Sequence, residues 1–164
     1  MKYIISILAL LILIYTPGTA DNLKRLNLDD AATIGMKIRT DSKIKVEGKG
    51  SVRISTRWPT SVCLGEVTSL EVENAKLVYE ARVRSDLEGG GAAFLEMWVH
   101  IGGGWYFSKG MNDPIKGKSG WKSIRTPFLF QKGQKPERVI LNIVINGKGT
   151  VWIDDIVLSR EALK

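Results

Sequence analysis

The sequence is poorest in cysteine and histidine, with one of each among its 164 residues. Because Cys63 is the only cysteine, the chain cannot form an internal disulfide, and a hydrophobic core has to supply its stability. We interpret Cys63, which lies between Val62 and Leu64, as a small buried apolar residue. A single histidine, His100, excludes a metal site built on a His-x-x-x-His pair. A catalytic dyad of Cys63 and His100 would need long-range folding, since nothing near either residue supports one.

Motifs of the common catalytic sites are also missing. No Gly-x-Ser-x-Gly sequence precedes the histidine, and no helix is predicted after the triglycine stretches at 89–91 and 102–104, as a phosphate-binding loop would require. Asp154 and Asp155 look like a catalytic carboxylate pair. However, neighbours in a strand point to opposite faces, so without a β-bulge these two cannot flank one substrate bond. We therefore predict that the protein is not an enzyme, with a hydrolase or lyase as the weaker alternative.

The longest apolar run lies at the N-terminus. Lys2 is followed by apolar residues at 4–15 and then by Thr-Pro-Gly-Thr-Ala, which ends at Ala20. A short apolar segment that ends in small residues is typical of a cleaved signal peptide. About 20 apolar residues are needed to span a membrane, and neither this run nor any later one is long enough. We predict a signal peptide over 1–20, a mature chain that begins at Asp21, and a periplasmic or secreted location.

The charge is positive but scattered. The chain has 24 lysines and arginines against 17 aspartates and glutamates, a net charge of +7. Proteins that read nucleic acids usually cluster such charge in a stripe, and this sequence has no stripe, so we predict no nucleic-acid partner. The excess fits a solvated surface, and attraction to acidic polymers is the alternative.

After residue 35 the chain is a series of short β-prone runs that are broken by glycine, asparagine and aspartate. We predict strands over 36–38, 44–46, 50–58, 67–72, 77–84, 93–101, 105–108, 124–130, 139–145 and 150–158. This spacing, without a helical period, predicts an all-β sandwich. Residues 21–35 fit a short helix, a first strand or a loose lead-in, and only the tail at 159–164 has a helix-like composition. The Asn146-Gly147 pair predicts a β-hairpin between the last two strands, with a loop lengthened by Lys148 and Gly149.

Strand alternation predicts which side chains face the core, because successive residues point to opposite sides. It places Val52, Ile54, Thr56 and Trp58 on one face of the strand at 50–58, and it predicts core positions for Leu77, Tyr79, Ala81, Val83, Val139, Leu141, Ile143 and Ile145. Trp152 falls on the face opposite Val151, but we expect it to pack because it lies in the terminal strand.

The strand at 93–101 has the most unusual pattern. Its apolar face would carry Leu95, Met97, Val99 and Ile101, which leaves Phe94, Glu96, Trp98 and His100 on the other face. Two aromatic residues on a solvated face need cover. A sugar ring or a protein partner would supply it; alternatively, the following loop buries Trp98 while Trp105 fills the sandwich edge.

The C-terminal third resembles a known family. Gly120-Trp121, an apolar run, a turn before Val139 and a closing Gly-Thr-Val-Trp-Ile-Asp-Asp-Ile-Val-Leu at 149–158 resemble the last strands of galactose-binding-like jelly rolls. This family includes carbohydrate-binding modules of polysaccharide-degrading enzymes, and the resemblance covers about residues 50–158. It implies a jelly-roll β-sandwich of two antiparallel sheets over 36–158, with 21–35 as a lead-in and 159–164 as a tail.

The resemblance also implies a site. In such modules, the strands that correspond to 93–101 and 139–145 place polar and aromatic residues on one concave sheet, and the loop after the first adds an aromatic residue. The matching residues are Glu96, Trp98, His100, Trp105 or Tyr106, and Asn142. Glu80 and Arg82 are expected on the far sheet. We expect no cofactor, although related modules bind a structural calcium ion through an acidic residue like Asp154 or Asp155; otherwise these aspartates satisfy backbone donors.

Together these observations predict an exported, non-catalytic module that binds carbohydrate or another cell-envelope polymer through the face that carries Trp98. The alternative is a structural or protein-interaction sandwich, in which another exported protein covers the same aromatic residues.

Overall fold

The computed structural model describes residues 20–26 and 38–163, so the predicted signal peptide lies outside the described residues. The described residues form eleven strands and no helix: β1 (Asp21–Leu26), β2 (Ile38–Asp41), β3 (Ser51–Thr56), β4 (Thr60–Thr68), β5 (Ala75–Leu87), β6 (Ala92–Ile101), β7 (Gly104–Lys109), β8 (Ile115–Lys116), β9 (Lys118–Phe130), β10 (Arg138–Asn146) and β11 (Gly149–Ala162). Accordingly, this part of the chain has no helix that is long and apolar enough to cross a membrane.

The strands form two antiparallel sheets, as predicted. Sheet A has the order β2-β3-β11-β5-β9, with β1 also paired to β11. Sheet B has the order β4-β10-β6-β7, with β8 also paired to β6. From β3 to β6 and again from β8 to β11, each strand lies in the other sheet from the one before it. This alternation between sheets confirms the predicted jelly-roll β-sandwich.

The core lies between the two sheets, and alternation predicted its main contributors correctly. The predicted inward residues Leu77, Tyr79, Ala81, Val83, Leu95, Met97, Val99, Val139, Leu141, Ile143 and Ile145 are all at most 1% exposed. Burying each large aliphatic side chain contributes roughly 1.5–3 kcal/mol, so strands β5, β6 and β10 carry much of the stability. Trp58 departs from the pattern, because β3 ends at Thr56 and leaves the Trp58 side chain 74% exposed.

Both ends of the described chain belong to sheet A. The segment at 21–26 is a strand that pairs with β11, which settles the three alternatives for the start of the lead-in. The tail at 159–164 was predicted to be helix-like, and this is wrong for its described residues. Strand β11 continues to Ala162, because residues 159–162 pair with 75–78 of β5 on one side and Ser159 and Arg160 pair with β1 on the other. Ladder pairing on both sides overrides a weak local propensity for helix.

The predicted hairpin at Asn146-Gly147 is also wrong. Strands β10 and β11 lie in different sheets, so the connection crosses between the sheets and joins no paired strands. A Cβ atom on Gly149, whose φ is +138°, would lie 2.2 Å from the carbonyl oxygen of Asp86. Gly149 is therefore required by this close approach to β5. A two-residue hairpin does occur in sheet B at Gly102-Gly103, which joins β6 to β7 at the end of β6 away from Asn146.

Candidate functional site

The outer surface of sheet B brings most of the predicted site residues together. The strand register places side chains in four rows that run across β4, β10, β6 and β7. The rows are Thr68-Arg138-His100-Trp105, Glu66-Ile140-Trp98-Phe107, Cys63-Asn142-Glu96-Lys109 and, across three strands, Ser61-Val144-Phe94. We name this surface, defined by these fifteen residues, the aromatic face.

Trp98 lies near the middle of the aromatic face and is partly exposed. Its Nε1–H donates a hydrogen bond of 2.8 Å to Glu96 Oε1. Its ring centroid lies 5.4 Å from that of Phe107, whose side chain is 56% exposed. The alternation predicted for β6 is therefore correct, and Trp98 presents an oriented aromatic surface outside the core.

Glu96 supports its neighbours and is only 6% exposed. Its Oε1 atom accepts hydrogen bonds from Trp98 Nε1 at 2.8 Å and from Asn142 Nδ2 at 3.3 Å. Its Oε2 atom lies 3.3 Å from Lys109 Nζ. Asn142 is also buried, at 9% exposure. Both predicted residues thus lie in the row next to Trp98, where the Glu96 carboxylate orients the indole ring.

The row through His100 forms one end of the aromatic face. His100 Nδ1 lies 2.7 Å from Glu137 Oε2, and the His100 ring centroid lies 4.9 Å from that of Trp105, which is 44% exposed. Arg138 Nε lies 2.9 Å from Glu66 Oε1. An open pocket of about 510 Å³ is lined here by Thr68, His100, Trp105, Glu137 and Arg138.

Sequence reasoning missed Glu137. Its Oε1 atom accepts a 3.0 Å hydrogen bond from the backbone N–H of Gly102, and its own N–H donates to the carbonyl of His100 at 2.9 Å. Glu137 therefore joins the turn after β6 to the start of β10. It lies just before a predicted strand, and no sequence pattern linked it to His100.

The hairpin register shows which of Trp105 and Tyr106 lies on the aromatic face. The turn at Gly102-Gly103 pairs His100 with Trp105 and Val99 with Tyr106. Trp105 therefore lies on the aromatic face, whereas Tyr106 points the other way and lines a separate pocket with Phe128 and Leu129. Phe107 was missed, as was Lys109, although alternation from Trp105 would have identified both once the turn was fixed.

Cys63 is exposed on the aromatic face, so the prediction of a buried residue is wrong. The register of β4 shifts between Gly65, opposite Leu141, and Cys63, opposite Asn142. Leu64 is the extra residue of this bulge and is buried at 2% exposure. The shift therefore places Leu64 in the core and turns the thiol outward, which local sequence does not indicate.

Asp154 and Asp155 lie on sheet A, away from the aromatic face. A bulge does occur here, since β11 pairs with β5 at Asp154 and next at Val157, and Asp155 has φ +53°. Asp154 is buried, and its carboxylate accepts hydrogen bonds from the backbone N–H groups of Val46, Glu47 and Asp155. The prediction that an aspartate here satisfies backbone donors is confirmed for Asp154.

Asp155 has a different partner, the guanidinium of Arg25, which also pairs with Glu47. Within residues 20–26 and 38–163, no three histidine, cysteine, aspartate or glutamate residues are grouped so that they could hold a metal ion. A structural calcium ion stays a prediction that these contacts do not test.

Comparison with known proteins finds a likeness in structure alone, because no protein-family model and no curated protein matches the sequence. The CBM22-1 xylan-binding domain of Paenibacillus barcinonensis Xyn10C superposes with a TM-score of 0.62 at 12% identity, over 91% of this chain and 100% of that one. The C-terminal family 22 carbohydrate-binding module of Clostridium thermocellum Xyn10B gives 0.58 at 9% identity, over 84% and 92%. TmCBM61, solved with β-1,4-galactotriose, gives 0.50 at 16% identity, over 84% and 88%. At these identities the likeness is one of fold, which is the jelly roll of carbohydrate-binding modules.

Proposed function

We propose that the chain is an exported, non-catalytic carbohydrate-binding module whose aromatic face binds a polysaccharide chain. The observation that carries this proposal is the pair of partly exposed aromatic rows, Trp98 with Phe107 and His100 with Trp105. Pyranose rings present apolar C–H faces that stack on aromatic rings, and their hydroxyl groups need polar partners beside those rings. The similar solved modules bind xylan or were solved with galactotriose, which supports the same class of ligand.

The arrangement favours binding over simple packing. Trp105 and Phe107 are 44% and 56% exposed on one surface, and such grouped exposed aromatic residues mark interaction sites. Trp98 is already oriented by Glu96 within a paired strand. Little side-chain freedom is therefore lost when a ligand stacks on it, which improves affinity.

The charges on the aromatic face favour a neutral polysaccharide. Both cations there pair with a carboxylate, Arg138 with Glu66 and Lys109 with Glu96, and the ring of His100 contacts Glu137. An acidic ligand would have to break these pairs to reach a cation. We infer that the ligand is a neutral polysaccharide of the xylan or galactan type.

The contacts of the carboxylates on and beside the aromatic face support a non-catalytic role. Both oxygens of Glu96 contact protein groups, and Glu137 bonds to His100 and the Gly102 amide. A glycoside hydrolase needs two carboxylates that are free to face one glycosidic bond. Export agrees with the predicted signal peptide and would bring the module to extracellular or cell-envelope polymers.

Affinity gel electrophoresis tests the proposal. We expect the mature chain from Asp21 to be retarded by xylan or β-1,4-galactan, and Trp105→Ala to reduce that retardation. Trp58→Ala is the matched control, because Trp58 is 74% exposed but lies outside the aromatic face. The proposal is wrong if no neutral polysaccharide retards the protein, or if the two variants lose retardation equally.

A protein partner is the second candidate. Strand β7 is an edge strand of sheet B and carries the exposed Trp105 and Phe107. An edge strand with exposed aromatic residues is suited to pairing with another chain. Gel filtration separates the candidates. A stable dimer or a stoichiometric co-purifying protein, without retardation by any polysaccharide, would favour the interaction role.

A further inference from the structure

The outer surface of sheet A carries a row of arginines around a tryptophan. Register pairs Arg39 of β2 with Arg53 of β3, Arg53 with Trp152 of β11, and Trp152 with Arg84 of β5. These four side chains therefore lie side by side across four neighbouring strands. We name them the arginine row.

Trp152 fixes two of these arginines. It is 7% exposed, and the guanidinium carbons of Arg53 and Arg84 lie 5.8 and 5.7 Å from its ring centroid. The indole N–H donates a 2.9 Å hydrogen bond to Asp41 Oδ2. Stacking on an aromatic ring restricts a guanidinium group but leaves its N–H donors free at the edge.

The three arginines of the row form no direct ion pair with a carboxylate within residues 20–26 and 38–163. Ion pairs in this part of the chain involve other cations, and none includes Arg39, Arg53 or Arg84. Asp41 attracts Arg53 electrostatically without a direct ion pair, and its carboxylate already accepts hydrogen bonds from Trp152 and from the backbone N–H groups of Lys43 and Ile44. Arg39 and Arg53 are exposed. Guanidinium groups that are held in place without a direct carboxylate contact form a preorganised anion site.

We propose that the arginine row is a second binding site, which takes the carboxylate groups of an acidic polysaccharide. Guanidinium binds carboxylate through two parallel N–H···O bonds. The backbones of Arg53 and Arg84 lie two strand spacings apart, about 10 Å, and Arg39 lies one strand beyond Arg53. The row therefore extends across the sheet, as successive charged units of a polymer do along a chain. Because the arginine row and the aromatic face are on opposite surfaces of the sandwich, both sites can be occupied at once.

The surroundings of the row favour a polysaccharide over other polyanions. Glu80, Arg82 and Asp86 lie on the same side of β5 as Arg84, so the positive charges along this strand are interrupted by acids. Duplex nucleic acid requires a longer basic stripe. A membrane surface requires exposed apolar residues beside the cations, but Trp152 is buried.

Gel retardation by polygalacturonate tests this site on the mature chain. We expect retardation that weakens as salt rises and that falls about tenfold in Arg39→Gln/Arg53→Gln, as for the loss of one or two charge-assisted hydrogen bonds. The matched control is Lys116→Gln/Lys132→Gln, which removes two exposed positive charges elsewhere. Arg39→Gln alone is the second variant; Arg39 is not one of the arginines stacked on Trp152, so a loss of retardation there cannot come from misfolding around that ring.

Several outcomes would overturn the proposal. These are no retardation by polygalacturonate, an equal loss in both double variants, or stronger retention by duplex DNA or by phosphatidylglycerol vesicles. Dextran sulfate distinguishes carboxylate from sulfate, and retention by sulfate alone would also contradict it. The test is independent of the aromatic face, because Trp105→Ala should keep its retardation by polygalacturonate even if no neutral polysaccharide binds.

Discussion

Each outer surface of the sandwich has a tryptophan whose indole N–H donates to a carboxylate, but the two rings differ in exposure. On sheet B, the indole N–H of Trp98 donates to Glu96 at 2.8 Å, and on sheet A that of Trp152 donates to Asp41 at 2.9 Å. Trp98 stays partly exposed, whereas Trp152 is only 7% exposed. An indole–carboxylate bond therefore orients a ring without determining whether the ring is covered.

The exposure of each tryptophan ring depends on the side chains beside it in the same row of its sheet. Trp152 lies between Arg53 and Arg84, whose long side chains close over its ring. Trp98 instead has Ile140 on one side and the ring of Phe107, tilted by 43°, on the other. Short or tilted neighbours leave an aromatic surface open to a ligand. We infer that Trp152 mainly stabilises the fold and that Trp98 mainly binds.

Removing the covered ring should have the largest effect. We expect Trp152→Ala to lower the free energy of unfolding by about 3–5 kcal/mol, because a large buried side chain leaves a cavity. Urea titration of the mature chain measures this loss. Retardation of the remaining folded protein by xylan or galactan should be unchanged. A loss below about 1 kcal/mol would show that Trp152 is not structural, and the comparison would fail.

Trp98→Ala should have the opposite profile. We expect affinity for the neutral polysaccharide to fall by about 2 kcal/mol or more, as for an aromatic anchor, with a smaller loss of stability than in Trp152→Ala. Isothermal titration calorimetry and thermal melts on the same preparations separate the two quantities. If Trp98→Ala instead costs about 3–5 kcal/mol of stability without changing binding, Trp98 is a packing residue and the aromatic face loses its main support.

The sequence predicts features that are set within a single strand. It does not predict features that depend on strands far apart along the chain. Alternation within one strand is local, so the exposed side of Trp98 and the buried sides of β5 and β10 were predicted correctly. The expectation that Trp152 packs, although it faces away from Val151, was also correct. The resemblance of the last strands to carbohydrate-binding modules identified the fold class.

Features that depend on distant strands were not predicted. Asn146-Gly147 has the local chemistry of a hairpin, but β11 is held in sheet A by β3 and β5, so the chain crosses between sheets there. The outward position of Cys63 depends on a bulge whose only sign is its register against β10. The arginine row is likewise invisible in sequence, since its residues come from four strands that are widely separated along the chain.

Weakening the hydrogen bond from Trp98 to Glu96 should have a moderate effect. Glu96→Gln keeps the shape of the side chain but removes the charge that faces Lys109 Nζ and weakens acceptance from Trp98. We expect a loss of about 1 kcal/mol in affinity for the neutral polysaccharide.

A double-mutant cycle with Trp98→Phe distinguishes positioning from general destabilisation. Phenylalanine has no N–H to orient, so the affinity losses of Glu96→Gln and Trp98→Phe should be less than additive. Additive losses would show that Glu96 acts on the site by another route.

The smallest effect should be a difference in acid sensitivity between the two surfaces. The hydrogen bond from Trp152, with those from the Ile44 and Lys43 amides, lowers the pKa of Asp41 below its ordinary value of 3.8. The unfolded chain therefore takes up a proton on Asp41 before the folded chain does as the pH falls. Asp41 stabilises the fold fully above about pH 4 and loses that contribution as the pH drops through its folded pKa.

Asp41→Asn should flatten the fall in melting temperature below about pH 4. Trp152→Phe should flatten it partly, because the largest of these hydrogen bonds is gone. Trp98→Phe leaves the contacts of Asp41 intact and should keep the wild-type slope. A wild-type slope in Asp41→Asn would show that the bond to Trp152 does not couple acid to stability, and the two indole–carboxylate pairs would then differ only in how their rings are covered.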